Sequence, residues 1–190
     1  MNKIKILAII GKSGAGKDSV LKCLKMYPSD DIHYITSSTT RPLREGEVDG
    51  IDYHFIDHDD FIDLMENNQI VEMSVFRDWC YGTSVKDLST AKINIGGFDP
   101  MRIGILADHS NIDLKIVMIT ATDKERLLRS LNRENDPDVA EIIRRYQADE
   151  EDFKYLHHEF DIIEIPNHDG GIDKVCQSIL DIVDEWGKID

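Results

Sequence analysis

The sequence predicts an α/β fold built around a parallel sheet. Three observations point to it. A β-branched run, Ile4–Ile10, leads straight into a glycine loop. Strand-like apolar runs then alternate with amphipathic helical segments along most of the chain. The length of 190 residues suits a single domain with one core, and 41% of the chain's residues are apolar.

The elements follow in order. Ile4–Ile10 is apolar enough for a buried strand but too short to span a bilayer. Gly11–Lys17 is a loop, and Asp18–Met26 reads as a helix. His33–Ser38 is a short second strand. From Thr39 to about Leu88 turn pairs such as Arg41-Pro42 and Asp49-Gly50 alternate with short strand-like pieces, including Tyr53-His54-Phe55-Ile56. A short helix, Asp59–Asn67, carries Phe61, Ile62 and Met65 at helical spacing. This block reads as a small sheet-rich lobe, residues 37–89, inserted into a core formed by 1–36 and 90–190. The core resumes with strands at Lys92–Ile95 and Leu114–Thr120 and a helix from Asp123 to about Leu131. Asn132–Asp138 is a polar loop containing Pro137. Val139, Ile142, Ile143, Tyr146, Phe153 and Leu156 mark one longer helix, Phe160–Ile165 a last strand, and Ile172 to Val183 a closing helix.

Acidic residues outnumber basic ones 37 to 22, for a formal charge of −15. Such a surface repels nucleic-acid backbone and anionic lipid, so neither is an expected partner. It leaves room for a small anion held by a few well-placed Lys and Arg residues. Cys23, Cys80 and Cys176 lie far apart with no zinc-type spacing, which fits reduced thiols in the cytoplasm.

Gly11-Lys12-Ser13-Gly14-Ala15-Gly16-Lys17 fits G-x-x-x-x-G-K between a strand and a helix, the context that a phosphate-binding loop requires. Glycines let successive N–H groups turn inward on phosphate, and the helix N-terminus adds partial positive charge. The expected nucleotide contacts are Gly11, Ser13, Gly14, Ala15, Gly16, Lys17, Asp18 and Ser19, with the Lys17 ammonium between β- and γ-phosphates of ATP. The position after the lysine normally holds a hydroxyl that touches Mg²⁺; here it is Asp18. A carboxylate can ligate Mg²⁺ directly or through water. It can equally just complement the helix N-terminus.

A second anion site is suggested by Thr39-Thr40-Arg41-Pro42-Leu43-Arg44, followed by Gly46-Glu47-Val48-Asp49-Gly50 and Tyr53-His54-Phe55. Paired arginines bind phosphate in forks, and Tyr adds a donor; a charged surface turn would look the same. This span resembles the signature of the guanylate kinases, with T-T-R-P-x-R, G-E-x-D-G and Y-x-F in the same order and at the same spacing. The likeness continues through Ile70-Val71-Glu72 and Tyr81-Gly82-Thr83-Ser84 and covers most of the chain. It implies a P-loop NTPase three-layer fold with a nucleoside-monophosphate lobe and a short lid at about 129–145. It implies Mg²⁺-assisted transfer from ATP to GMP or dGMP by a monomer or homodimer. It further implies that Arg41, Arg44, Tyr53 and Tyr81 hold the acceptor phosphate, while Ser37, Glu72 and Thr83 read guanine. The chemistry agrees: guanine presents N1–H and a 2-amino group side by side, and one carboxylate accepts both. Adenine would leave that carboxylate unpaired.

Arg129 and Arg133 stand one helical turn apart, and Arg144 and Arg145 follow the polar loop. The resemblance implies that such arginines touch the transferring phosphoryl group, Arg129, Arg133 and Arg144 matching best and Arg145 being an alternative. Salt bridges to Glu125, Glu134 and Glu141 are the competing reading. One departure stands out. Where guanylate kinases carry D-x-D, this chain reads Asn94-Ile95-Gly96-Gly97-Phe98-Asp99. Only Asp99 remains as a candidate contact to guanine, and Asp18 is the candidate replacement on the metal side. Other readings are a kinase for another small phosphate acceptor, such as ribose 1,5-bisphosphate or other deoxynucleoside monophosphates, and a catalytically silent binding module.

Overall fold

The computed structural model describes residues 3–27, 29–44, 46–133, 135–168 and 170–188. Glu134, one of the suggested lid partners, lies outside them. In chain order the strands are β1 (Ile4–Ile10), β2 (Ile32–Tyr34), β3 (Ser38–Thr39), β4 (His54–Phe55), β5 (Ile70–Phe76), β6 (Trp79–Ser84), β7 (Ile93–Gly97), β8 (Ile112–Thr120) and β9 (Ile162–Pro166). The helices are α1 (Lys17–Leu24), α2 (His58–Glu66), α3 (Pro100–Asp108), α4 (Asp123–Leu131), α5 (Val139–Asp152), α6 (Leu156–Glu159) and α7 (Ile172–Gly187).

The α/β expectation holds. One sheet has five strands in the order β2-β7-β1-β8-β9, with parallel pairings between β2 and β7 and between β8 and β9. A separate four-stranded sheet has the order β4-β3-β6-β5. The run Ile6–Ile10 is buried throughout, which is what a β-branched strand covered on both faces requires. By contact density the chain divides into two compact units. The first contains Asp30–Gly96, Met101–Leu114 and β1 up to Ile6; the second contains Leu7–Ser29, Gly97–Pro100 and the chain from Lys115 onward.

In the first unit the predicted strand His33–Ser38 is two strands in two sheets. β2 pairs parallel with β7, and after three intervening residues β3 joins the small sheet, parallel to β4 and antiparallel to β6. Thr39 and Thr40 use their hydroxyls to tie this crossing to β6, through the Cys80 carbonyl and the Cys80 N–H, each at 2.9 Å. The β5–β6 hairpin carries a bulge between Ile70 and Glu72, after which Glu72 stands opposite Thr83. A bulge re-aims the side chains that follow it.

In the second unit α1 starts at Lys17 and buries Val20, Cys23 and Leu24. α4 opens on a capping box, in which Thr122 and Glu125 bond each other's backbone N–H. Hydrogen bonds from Thr122 draw the Glu125 carboxyl down to about 2. The single helix expected over Val139–Leu156 is broken: α5 ends at Asp152 and α6 starts at Leu156, a turn that buries both Phe153 and Leu156. No sequence pattern pointed to α3, whose mostly apolar residues follow the Gly96-Gly97 pair.

Candidate active site

The glycine loop belongs wholly to the second unit. Gly14 and Gly16 have φ of 80° and 97°, in the left-handed region that glycine tolerates. Space also demands glycine at both: a Cβ on Gly14 would come within 2.4 Å of the Arg126 carbonyl, and one on Gly16 within 2.4 Å of the Asn167 amide. Gly16 is the residue on which α1 opens, so the loop's N–H groups and the helix end are brought together.

Three side chains hold the loop from outside. Asn167 Nδ2 donates to the Ala15 carbonyl at 2.8 Å. Arg129 donates to the carbonyls of Gly14 and Ala15, each at 3.4 Å, and to Asn167 O at 2.8 Å. Arg126 is buried; its Nε donates to Ser13 O at 3.1 Å, and its Nη groups reach Asp123, Asp149 and Glu150. The Tyr146 ring lies 4.8 Å from the guanidinium. α5 adds acids to the loop: the Ser13 N–H donates to Asp149 Oδ2 at 2.7 Å, and Lys12 pairs with Glu150 at 2.7 Å. Sequence reasoning singled out Arg129 and Arg133 but missed Arg126 and Asn167. The signal for Arg126 was present, since it precedes Arg129 by three positions on the same helical stripe.

A cavity of about 600 Å³ opens on the loop. It is lined by Gly11–Gly14, Gly16–Ser19, Lys22, Arg129, Arg133, Glu141 and Arg145 among others. Ala15 is absent from that lining and buried. Lys17 Nζ lies 2.8 Å from Asp18 Oδ1. The charge of Lys17, with smaller contributions from Arg133 and Lys22, holds the Asp18 carboxyl below its ordinary value. A Cβ on Gly97 would approach Lys17 Nζ to 3.0 Å and Leu21 to 2.8 Å. The strand end that lacks D-x-D is thus where the side chains of α1 need room. Arg144 is absent from the cavity lining; it and Arg145 both pair with Glu141, at 2.8 and 2.7 Å. Asp99 lies in the second unit, close enough to Asp152 to help burial and Asp149 raise that carboxyl. Asn94 spends its amide on the backbone of Ser89 and Lys5.

The remaining sequence-predicted residues gather in the first unit. Arg41 is buried and forks onto Glu47 at 2.9 and 2.8 Å while also bonding Pro42 O. Its guanidinium lies 5.6 Å from the Tyr53 ring and 5.4 Å from the Phe55 ring. Burial alone would lower the Arg41 pKa; the hydrogen bonds and charge of Glu47 outweigh it and raise it. The same hydrogen bonds hold Glu47 below the usual carboxylate range. Tyr53 packs edge-on against Tyr81, 6.0 Å between centroids, and Arg44 is exposed beside Glu47. Ser37, Glu72 and Thr83 are all buried and meet, with Ser37 Oγ 3.2 Å from Thr83 Oγ1. A fourth residue joins them. Arg102, at 3% exposure, forks onto both Glu72 oxygens and donates from Nη2 to Ser37 and Thr83, each at 3.1 Å. Nothing in the sequence marked Arg102, because α3 itself was not foreseen.

Among the described residues no group of three or more His, Cys, Asp or Glu could hold a metal ion. No described helix is long and apolar enough to cross a membrane.

A buried parallel strand, a glycine loop and a helix carrying a lysine on its first turn define the class: an α/β protein with a nucleotide-type phosphate loop. The comparisons then narrow the class. The family model described as Guanylate kinase matches residues 3–186. The chain is 33% identical over 155 residues to a guanylate kinase of Campylobacter jejuni, covering 80% of this chain and 76% of that protein. It is 31% identical over 162 residues to one of Helicobacter hepaticus, covering 83% and 80%. It is 33% identical over 153 residues to one of Schizosaccharomyces pombe, covering 77% and 76%. The crystal structure of guanylate kinase from Anaplasma phagocytophilum shares the fold, with a TM-score of 0.70 at 18% identity, covering 100% of this chain and 89% of that one. The chain belongs to the guanylate kinase family.

Proposed function

We propose that this chain transfers the γ-phosphoryl group of ATP to the phosphate of GMP or dGMP, giving the diphosphate and ADP. The observation that carries the reading is the gathering of Ser37, Glu72 and Thr83 in one buried cluster, within a family whose named relatives are guanylate kinases.

The residues divide the work. Gly11, Gly14 and Gly16 line the cavity and present backbone to the phosphates of ATP. Ser13 would first have to release its N–H from Asp149, and Ala15, buried with its N–H on the Lys12 carbonyl, supports the turn. Lys17, Asp18 and Ser19 follow on the first turn of α1. Lys17 neutralises charge that builds on the β- and γ-phosphates. Arg133 and Arg145 line the same cavity, and Arg145, paired there with Glu141 at 2.7 Å, would have to leave that partner to meet a phosphoryl group. Arg144, paired with Glu141, would have to give up that partner to take part. Arg129 acts chiefly by fixing loop carbonyls, an indirect contribution to alignment. Arg41, Arg44, Tyr53 and Tyr81 hold the acceptor phosphate, and Glu47 keeps Arg41 charged and oriented. Asp99 is assigned to the acceptor only through the resemblance.

Mg²⁺ fits this donor set in one way. With no protein cage among the described residues, the ion would be held mainly by nucleotide oxygens and water, with Asp18 as the protein carboxylate. Bound there, it would neutralise phosphate charge. Asp18 would then exchange part of its pairing with Lys17 for the ion. The domain reading accompanies this one: a core of 1–36 and 90–190, an acceptor lobe of 37–89 and a lid of about 129–145. Free cysteines fit a reducing cytoplasm, and no nucleic-acid or membrane partner is expected.

The test is an ADP-release assay with ATP and Mg²⁺ across all ribo- and deoxynucleoside monophosphates and ribose 1,5-bisphosphate. Turnover should appear with GMP or dGMP and be weak elsewhere. A folded sample that turns over the sugar phosphate and not the guanine nucleotides would overturn the reading.

A further inference from the structure

We propose that Arg102 is a specificity-determining residue of the acceptor pocket, a built-in surrogate for guanine that an incoming guanine must displace. The inference rests on Ser37, Glu72 and Thr83 being the base-reading groups.

The geometry carries it. Arg102 Nε donates to Glu72 Oε2 and Nη2 to Glu72 Oε1, so two adjacent N–H groups on one planar system meet the two oxygens of one carboxylate. Guanine offers Glu72 the same pattern, N1–H and the 2-amino group side by side on one plane. Nη2 also reaches Ser37 Oγ and Thr83 Oγ1, each at 3.1 Å, so every base-reading group is engaged by one guanidinium. All four side chains are buried, Glu72 at 2% and Thr83 at 1% exposure. A single carboxylate cannot make both forks at once, so Arg102 and guanine compete for Glu72.

Two consequences follow. First, a buried carboxylate flanked only by hydroxyls would be strongly unfavourable, and Arg102 supplies its counter-charge, holding the pocket in reading geometry. Second, a base that enters must break this pair, so every acceptor that needs the pocket binds more weakly than its contacts alone would give. A ligand that uses only Arg41 and Arg44, such as inorganic phosphate, bears no such penalty. Displacement requires the buried Arg102 side chain to swing away from Glu72 about its stem bonds.

The wild-type protein gives the direct test. The Arg102 Nε–H resonance, identified by its loss in Arg102→Lys, should be protected from solvent exchange in the free protein. Saturating GMP should abolish that protection, and inorganic phosphate should leave it unchanged. In parallel, Arg102→Met should bind GMP at least about tenfold more tightly by calorimetry and show a lower GMP KM, with the ATP KM unchanged. Its melting temperature should rise more with GMP than that of wild type, because guanine restores a partner to Glu72. Should the Met variant not fold, Arg102→Lys, which keeps the charge but loses the fork, replaces it in the same measurements.

If wild type phosphorylates GMP while the Arg102 resonance stays protected and the variants bind GMP no more tightly, the proposal falls and the kinase reading survives. If neither wild type nor variant binds GMP, both fall together. If only the variants bind GMP, Arg102 is established as the block, and the acceptor of the wild-type chain is not a guanine nucleotide.

Discussion

The phosphate loop and the acceptor cluster solve the same problem, holding anionic or polar groups of a nucleotide, with opposite materials. The loop is a backbone device. Its conformation is set by Gly14 and Gly16, its carbonyls are pinned by Arg126, Arg129 and Asn167, and its cations are Lys12 and Lys17. The acceptor cluster is a side-chain device. Arg41 leans on Glu47, and Glu72 on Arg102, each as a forked and largely buried ion pair. A backbone site tolerates changes at its rim provided the glycines stay. A site made of buried charge pairs does not, because removing either partner strands the other in low dielectric. The two regions should therefore fail differently under mutation.

Lys17→Met should give the largest effect. The loop keeps its shape while losing its main charge, so kcat with ATP and GMP should fall about 10²–10³-fold, measured by ADP release, with the thermal melt unchanged. Retained turnover would remove the loop as the donor site. Next in size is Arg41→Met. Loss of a charged donor should raise the acceptor KM about 10–100-fold and, unlike the lysine change, also lower the melting temperature, because Glu47 loses its partner. If the ATP KM rises equally, the contrast between the two regions fails.

A smaller shift is expected for Asp18→Ala, which leaves no ligand at the position. The Mg²⁺ concentration for half-maximal rate should rise about tenfold, in steady-state titrations at fixed ATP. An unchanged titration would leave Asp18 as a complement to the α1 N-terminus and nothing more. The smallest effect concerns pH. Glu47 is held below the usual carboxylate range by Arg41, so its contribution to stability is complete above its unfolded pKa of about 4.3. That contribution is lost as pH falls through the depressed folded value. Urea midpoints measured from pH 7 to pH 3 should therefore drop less steeply in Glu47→Gln than in wild type, while at pH 7 the variant is the less stable protein.

The two regions were also unequally legible in the sequence. The loop could be read because its parts are contiguous: a β-branched strand, seven residues and a helix start leave few backbone solutions. In the acceptor site only the span holding Arg41, Arg44 and Tyr53 showed a local pattern, that of an anion site; Glu72, Thr83 and Arg102 come from separate segments that no local pattern relates to it. The base-reading members came from resemblance, and resemblance is silent about Arg102. Similarly, the run 33–38 looked like one strand because its β propensity is continuous; only sheet pairing shows that it leaves one sheet and enters another. The supposed long helix over 139–156 is uniformly amphipathic, and the break after Asp152 answers to burial of Phe153 and Leu156.

What the sequence determined by itself was therefore local. The α/β alternation, the glycine loop and the helix it opens all follow from hydrophobic period and from backbone freedom at glycine, which act over a few residues. What only the tertiary structure decided was which charges meet. The pairing of Arg41 with Glu47 and of Arg102 with Glu72, and the clamp of Arg126 on the loop, depend on burial. A buried charge must find a counter-charge wherever the fold supplies one, and sequence distance says nothing about where that is.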